Sequence, residues 1–504
     1  MGKFYVTTPI YYVNDEPHIG HAYTTILADV LARFHRSLGD DVFFLTGTDE
    51  HGQKIQEAAE KRGVTPQQHV DEFVVRFREM WEHLHIKNDD FIRTTEERHT
   101  LRVQELLSSL WEKGEIYADE YEGYYSVSEE RFITEKELEE GSYRGVKKLK
   151  EKNYFFRMSK YQDQLIQYIQ DHPRFIMPES RKNEILGFLQ QPLGDLCISR
   201  PKARLSWGIE LPFDPDYVTY VWFDALLNYI TAIGWNSNDE LFNQWWPVNF
   251  HLIGKDILTT HAVYWPTMLM AAGIELPQTI LAHGWWLVGE TKMSKSLGNV
   301  VKPLDLIDSY GVDPVRYFLM RDMVLGLDSN FTLDAFIKRY NADLANDFGN
   351  LVNRVSILIR KNFDGMIPQP GDYDEIDLDL INRAKSTPQQ VRSFIDDLRI
   401  HDGIETAMAL IRQINRYLEI REPWKAVKTD KSQGSLAATT LYLAADVLRL
   451  GAQLLYPVMP NRVAEILSIL GATDIPRNDF TQGRLQSGTE LGEGKSPFPR
   501  IEVP

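Results

Sequence analysis

Residues 3–34 read KFYVTTPIYYVNDEPHIGHAYTTILADVLARF, and the order of patterns within them decides the fold. The run 3–8 is short and apolar, as a buried strand is. From Gly20 onward Tyr23, Ile26, Leu27, Val30, Leu31 and Phe34 recur at helical spacing and define one apolar face. A long loop separates the two. The pattern then repeats: 41–46 (DVFFLT) reads as a second strand, and Thr65-Pro66 starts a helix carrying Val70, Phe73, Phe77, Trp81 and Leu84 on its inner face. Strands alternating with amphipathic helices predict a parallel sheet covered by helices.

Working outward, 116–213 breaks the alternation with aromatic, charged stretches such as YEGYYSVSEERF and KEKNYFFRMSKYQ, which read as an insertion. Strand-like runs resume at 217–223, 249–253 and 279–282. Beyond 332 the strands stop. Leu344, Phe348, Leu351, Val355 and Leu358 mark one long helix; Ile404, Met408, Ile411, Ile414 and Leu418 mark a second; Leu443, Val447, Leu450 and Leu454 mark a third. The expected order is the first half of a sheet domain (1–115), an insertion (116–213), the second half (214–331), a helical bundle (332–477) and an extended tail (478–504) rich in Gly, Ser and charge.

Composition narrows the function without choosing it. A chain of 504 residues exceeds one compact core. A formal charge of −17 argues against non-specific attraction to nucleic acid, so any RNA contact must be local. The single cysteine, Cys197, permits no internal disulfide, reads as a buried inert thiol and fits a reducing compartment. The start lacks the regions of a signal peptide and no apolar run is long enough to span a bilayer, so a cytoplasmic protein with no membrane partner is expected.

Two short motifs carry chemistry. His18-Ile19-Gly20-His21 stands where the first strand has ended and a helix begins, a place where helix N-termini favour anions, and its histidines can donate hydrogen bonds to phosphate. Gly20 allows close backbone approach. Taken alone, the tetrapeptide is more often a pair of capping or packing histidines. Lys292-Met293-Ser294-Lys295-Ser296 sets two lysines in a polar loop, suited to clamping a triphosphate and releasing pyrophosphate; alone, it is equally a surface charge pair. Together, in this order, about 270 residues apart and on either side of an insertion, they are far more specific.

On these motifs the chain resembles the class I aminoacyl-tRNA synthetases. The resemblance implies an α/β fold: a doubly wound, Rossmann-like catalytic domain split by a connective insertion and followed by an α-helical anticodon-binding bundle. ATP and Mg²⁺ enter as reactants. It further implies ATP contacts from His18, Gly20, His21, Lys292, Ser294 and Lys295, with Asp256 at the ribose and His18, His21, Lys292 and Lys295 as the catalytic set.

Within that class the chain looks like the methionine-specific family along nearly all its length. The match rests on Thr8-Pro9-Ile10-Tyr11-Tyr12-Val13-Asn14, Thr46-Gly47-Thr48-Asp49-Glu50-His51-Gly52, Tyr220-Val221-Trp222-Phe223-Asp224-Ala225 and Gly254-Lys255-Asp256-Ile257. A polarisable thioether is well held by aromatic walls, which Tyr12, Trp222, Tyr229 and Trp265 could supply. The resemblance adds Ile10, Ala225, Leu226, Ile257 and His261 to the L-methionine pocket and sets Asp49 against the substrate ammonium. Leucine, isoleucine and valine enzymes carry a large editing domain for which the insertion has no room. The cysteine enzyme needs cysteine ligands for zinc, and one cysteine cannot supply them. Many methionine enzymes carry cysteine-rich zinc knuckles in the insertion; here Tyr124-Tyr125-Ser126-Val127-Ser128-Glu129 stands in that place, so no structural zinc is expected.

In the first bundle helix Asn346, Asn350 and Arg354 are spaced four apart and share a polar face. Such a stripe is usually only solvated. Amides and a guanidinium can also read unstacked bases, and Trp424 could stack one. All four match the family's anticodon-reading positions, which implies tRNA(Met) as the partner. No further domain follows the bundle, so a monomer is expected. The alternatives are a small-molecule nucleotidyltransferase, which has no use for the bundle, and an inactive RNA-binding protein, in which damaged motifs would be expected.

Overall fold

The computed structural model describes residues 2–14, 17–126, 131–133, 138, 146–288, 291–292, 301–494 and 496–502. The chain divides into two compact units, one of residues 1–32 with 41–283, the other of 33–40 with 284–504.

In the first unit, burial on both faces turns apolar runs into parallel strands. Lys3–Thr7 lies between Asp41–Asp49 and Phe250–Gly254, with Lys3 opposite Asp41 and Val6 opposite Phe250. Thr279–His283 follows beside Phe250–Gly254, and Ile176–Met177 pairs with it at the edge. On the other side Asp41–Asp49 pairs with Asp90–Arg93 and with Tyr11–Tyr12. The first strand thus has an early strand on one flank and a late one on the other. That is the switch in strand order beside which open α/β sheets bind ligands, at the carboxyl ends of the strands.

The helix predicted after Thr65-Pro66 spans Pro66–His83; Thr65 and Gln68 form a reciprocal cap, and Val70, Phe73, Phe77 and Trp81 are buried. Within 116–213, Ile116–Ser126 pairs antiparallel with Val146–Phe156 along its whole length, so the aromatic and charged stretch is a regular hairpin sheet. Ile176–Met177, inside the same span, returns to the main sheet. Val127, Ser128 and Glu129 lie outside the described residues.

One strand reading is corrected. The run 217–223 does not continue the main sheet: Asp214–Thr219 is antiparallel to Ser199–Pro201 and Glu210–Leu211, and Val221–Ala225 is a short helix. A short apolar run satisfies a strand or a buried helical turn equally. Tertiary partners chose the turn, which brings Asp224 against two histidines.

The second unit contains the expected long helices, Asn350–Asn362, Ile400–Arg421 and Leu436–Leu455. The first is preceded by a π-helical stretch, Tyr340–Gly349, that no propensity announces. The segment read as a tail packs onto the bundle: Leu485, Leu491 and Phe498 are buried, and the Tyr442 hydroxyl donates to the Leu485 carbonyl at 2.9 Å.

Candidate active site

The loop that closes the first strand delivers the histidine motif to the start of the helix Ile19–Ser37. The Gly20 backbone N–H donates to His18 Nδ1 at 3.1 Å, and the His18 N–H donates to His21 Nδ1 at 3.2 Å. Each Nδ1 is therefore an acceptor, so each neutral ring carries its proton on Nε2, where it can donate to an anion. The rings stack with centroids 3.8 Å apart. A Cβ at Gly20 would fall 2.9 Å from His18 Cε1, so this packing requires glycine. Sequence reasoning missed His283, at the carboxyl end of its strand, whose Nε2 lies 2.7 Å from Thr24 Oγ1 on the same helix. The signal available was its position, directly after the strand-like run 279–282, at the end of a strand where such sheets bind ligands.

Asp256 is exposed in the turn Lys255–Ile257 that follows the central strand, its carboxylate close over Gly254, where a Cβ would meet Oδ1 at 2.5 Å. In the second unit Lys292 belongs to a two-residue strand, Thr291–Lys292, paired with Trp286–Val288. Ser294 and Lys295 lie outside the described residues.

The aromatic residues converge. His261 sits 3.0 Å from the Ile257 carbonyl through Nδ1, which must be the donor, so Nε2 accepts from the Tyr229 hydroxyl at 2.7 Å. Burial pushes the His261 imidazole down to about 4, so it is neutral near pH 7. Trp222 meets the His261 ring edge-on at 6.2 Å, and Trp265 approaches Tyr229 at 6.0 Å. Behind Trp265, His251 accepts its indole N–H at 3.2 Å and contacts Thr7 Oγ1 at 2.8 Å, a second arrangement not read from sequence.

Ile10, Trp222 and Ile257, all half-buried, pack against the core that contains Leu226, Tyr229 and Trp265, and Ala225 is buried next to Leu226 in the chain. Asp49, 6% exposed, ends its strand opposite Tyr12. Burial raises the Tyr229 phenol, and the Asp49 charge adds to the rise, which places that carboxylate near the pocket. Tyr12 joins the set through its pairing with Asp49 and lies under Lys54 Nζ, 5.8 Å from the ring centroid.

In the second unit Asn346 and Asn350 are exposed, while Leu344, Phe348 and Leu351 are buried. Asn346 belongs to the π-helical stretch and Asn350 starts the α-helix. The Arg354 guanidinium lies over the half-buried Trp424 ring at 5.9 Å, and its Nη1 is buried with no hydrogen-bond partner among the described residues. A buried N–H without an acceptor, beside a partly open aromatic face, suits a ligand that brings both an acceptor and a ring.

A family model described as tRNA synthetases class I (M) matches residues 4–142 and 141–356, and one described as the anticodon binding domain of methionyl tRNA ligase matches 367–501. A methionine–tRNA ligase of Caldanaerobacter subterraneus is 46% identical, the match covering 99% of this chain and 79% of that protein. One of Clostridium acetobutylicum is 47% identical, with 99% and 78% covered. A crystal structure of Mycobacterium tuberculosis methionyl-tRNA synthetase bound by methionyl-adenylate superposes with a TM-score of 0.94 at 42% identity, over 99% of this chain and 100% of that one. The free form of that enzyme superposes with 0.88 at 40% identity, over 100% and 99%. The pattern of alternating strands, paired histidines and an aromatic pocket meets two family models that between them account for almost every residue, and the chain belongs to the methionyl-tRNA synthetases, the class I ligases that join methionine to tRNA.

Proposed function

We propose that the ligase reaction of this chain runs through the residues its sequence singled out. The methionine carboxylate, ionised at neutral pH, attacks the α-phosphorus of ATP in line; one P–O bond forms and the bond to the β-phosphate oxygen breaks, releasing pyrophosphate. No general base is needed. The step needs positioning and charge neutralisation. His18 and His21 donate Nε2–H to phosphate oxygens at the helix N-terminus, Gly20 and Ser294 line the nucleotide, and Asp256 takes the ribose. Lys295 meets the charge that develops on departing pyrophosphate and Lys292 supports the closing loop. Mg²⁺ enters with ATP as part of the substrate.

Methionine lies with its thioether among Ile10, Tyr12, Trp222, Ala225, Leu226, Tyr229, Ile257, His261 and Trp265, and with its ammonium on Asp49. In the second step a hydroxyl of the terminal adenosine of tRNA(Met) attacks the acyl carbonyl, its proton is released and AMP leaves. Asn346, Asn350, Arg354 and Trp424 read the anticodon. One copy supplies every residue assigned, so we take the working unit to be a monomer in the cytoplasm, where its substrates are. No described helix is long and apolar enough to cross a membrane. A single cysteine cannot build a cysteine zinc knuckle, and no step is routed through zinc. By function we assign 1–115 and 214–331 to the catalytic domain, 116–213 to the insertion, 332–477 to the anticodon-binding domain and 478–504 to the C-terminal tail, whereas by packing 284–331 belongs to the second unit and Ile176–Met177 to the main sheet.

The observation that carries this reading is the orientation of His18 and His21: each Nδ1 accepts a backbone N–H, which puts the proton of each neutral ring on Nε2. His21→Ala should slow methionine-dependent pyrophosphate exchange by roughly 100-fold or more while the chain stays folded. Exchange at the unmodified rate would contradict the role.

A further inference from the structure

Asp224 is fully buried in the helix Val221–Ala225, and each of its carboxylate oxygens meets a different histidine. Oδ2 lies 2.6 Å from His51 Nδ1 and Oδ1 lies 2.7 Å from His99 Nε2. An ionised carboxylate has no proton to give, so His51 must carry hydrogen on Nδ1 and His99 on Nε2, which leaves His99 Nδ1 to meet the Thr231 hydroxyl at 2.8 Å. Burial pushes the Asp224 carboxyl up, but the charge and hydrogen bonds of His51 and His99 outweigh it and hold the group below its ordinary value. A buried charge is expensive unless it is paired, and here both carboxylate oxygens are paired.

That geometry has a definite place. His51 stands two residues after Asp49, and the residue between them is anchored on its own: Arg93 Nε donates to Glu50 Oε1 at 2.7 Å and the Trp207 indole N–H donates to the Glu50 carbonyl at 2.6 Å. Asp224 stands between Trp222 and Ala225. The carboxylate therefore joins, across 173 residues of sequence, the segment assigned to the methionine ammonium and the segment assigned to its side chain. His99, on the helix Glu97–Glu112, fixes it from the other side.

We propose that Asp224 is a positioning residue for methionine, which through His51 and His99 holds Asp49 at a set distance from the Trp222–Ala225 wall without touching the substrate. The proposal rests on the assignment of Asp49 and Trp222 to the methionine site. Loss of the charge widens or tilts that gap, so methionine binding weakens while ATP binding, at the histidine motif, is left nearly intact.

The test is pyrophosphate exchange with the full chain. Asp224→Asn keeps the size, loses the charge and turns an amide N–H toward one histidine N–H; methionine KM should rise at least ~10-fold and ATP KM should change less than about twofold. If Asp224→Asn does not fold, the His51 pair replaces it: His51→Asn keeps a donor near the position of Nδ1 and should hold methionine KM within about threefold, whereas His51→Ala should raise it ~10-fold. Unchanged methionine KM in Asp224→Asn, equal rises for methionine and ATP, or equal rises in the two His51 variants would overturn the proposal. Asp49→Asn separates the failures. If it raises methionine KM and Asp224→Asn does not, only the positioning role falls; if it changes nothing, the methionine-site assignment falls and this inference with it.

Discussion

Two buried carboxylates, one in each unit, solve the same problem with different partners. Asp224 is held by two imidazoles. Asp446, also fully buried, is held by the Arg449 guanidinium and by the backbone N–H groups of Gly483 and Leu485. Arg449 in turn donates to the carbonyls of Asp479 and Thr481. The first ties together segments that carry proposed substrate contacts; the second straps 479–485 to the helix Leu436–Leu455, and none of those residues is assigned to a substrate. The burial and the pairing are alike. What separates them is the load on each partner, so one should govern affinity and the other stability.

The largest expected effect belongs to neither carboxylate and sets the scale for both. Lys295→Ala removes the charge proposed to meet departing pyrophosphate and should slow adenylate formation by about 10³-fold or more, seen in single-turnover rates with little change in methionine binding. Wild-type-like exchange would refute its role. Asp446→Ala comes next. It leaves Arg449 buried without its counter-charge and should cost about 3–5 kcal/mol of stability, measured by denaturant unfolding, with methionine KM unaltered where the protein is still folded. A change in KM there would erase the contrast with Asp224.

Trp424→Ala sharpens the contrast between the units. Loss of one stacked base is worth about 1–3 kcal/mol, so aminoacylation of tRNA should fall roughly 10- to 100-fold while pyrophosphate exchange is kept. Equal loss in both reactions would contradict the separation of roles. The smallest effect concerns His261. Its folded value, about 4, is below the ordinary 6.5, so its contribution to stability is complete above about 6.5 and is lost as pH falls through 4. Ring-nitrogen NMR should show no titration of His261 between about pH 6 and 8. A midpoint near 6.5 would mean the ring is solvated rather than buried.

Much of this molecule can be read from spacing. The parallel strands, the capped helix after Thr65 and the apolar stripes of the bundle follow from periodicity, because period reports which side chains share a face. The histidine motif is local and can be read as four consecutive residues; the spacing of 346, 350 and 354 is visible too, but not the π-helical stretch that carries Asn346. Partnerships between distant residues are of another kind. Nothing in the neighbourhood of His51, His99 or Asp224 says that they meet across 125 and 173 positions, and the turn at Val221–Ala225, misread as strand, exists within that meeting. The strap at 478–504 was opaque for the same reason: Gly, Ser and charge look like a solvated tail until Asp446 and Arg449 supply buried partners for its backbone.

The pocket around Tyr229 and His261, served by the motif at His18 and His21, is proposed to activate methionine and no other amino acid. The most direct measurement is exchange of labelled pyrophosphate into ATP with each of the twenty amino acids offered separately. Exchange is expected with methionine alone. Exchange driven by a different amino acid would overturn the pocket assignment, and no exchange with any would contradict the catalytic reading altogether.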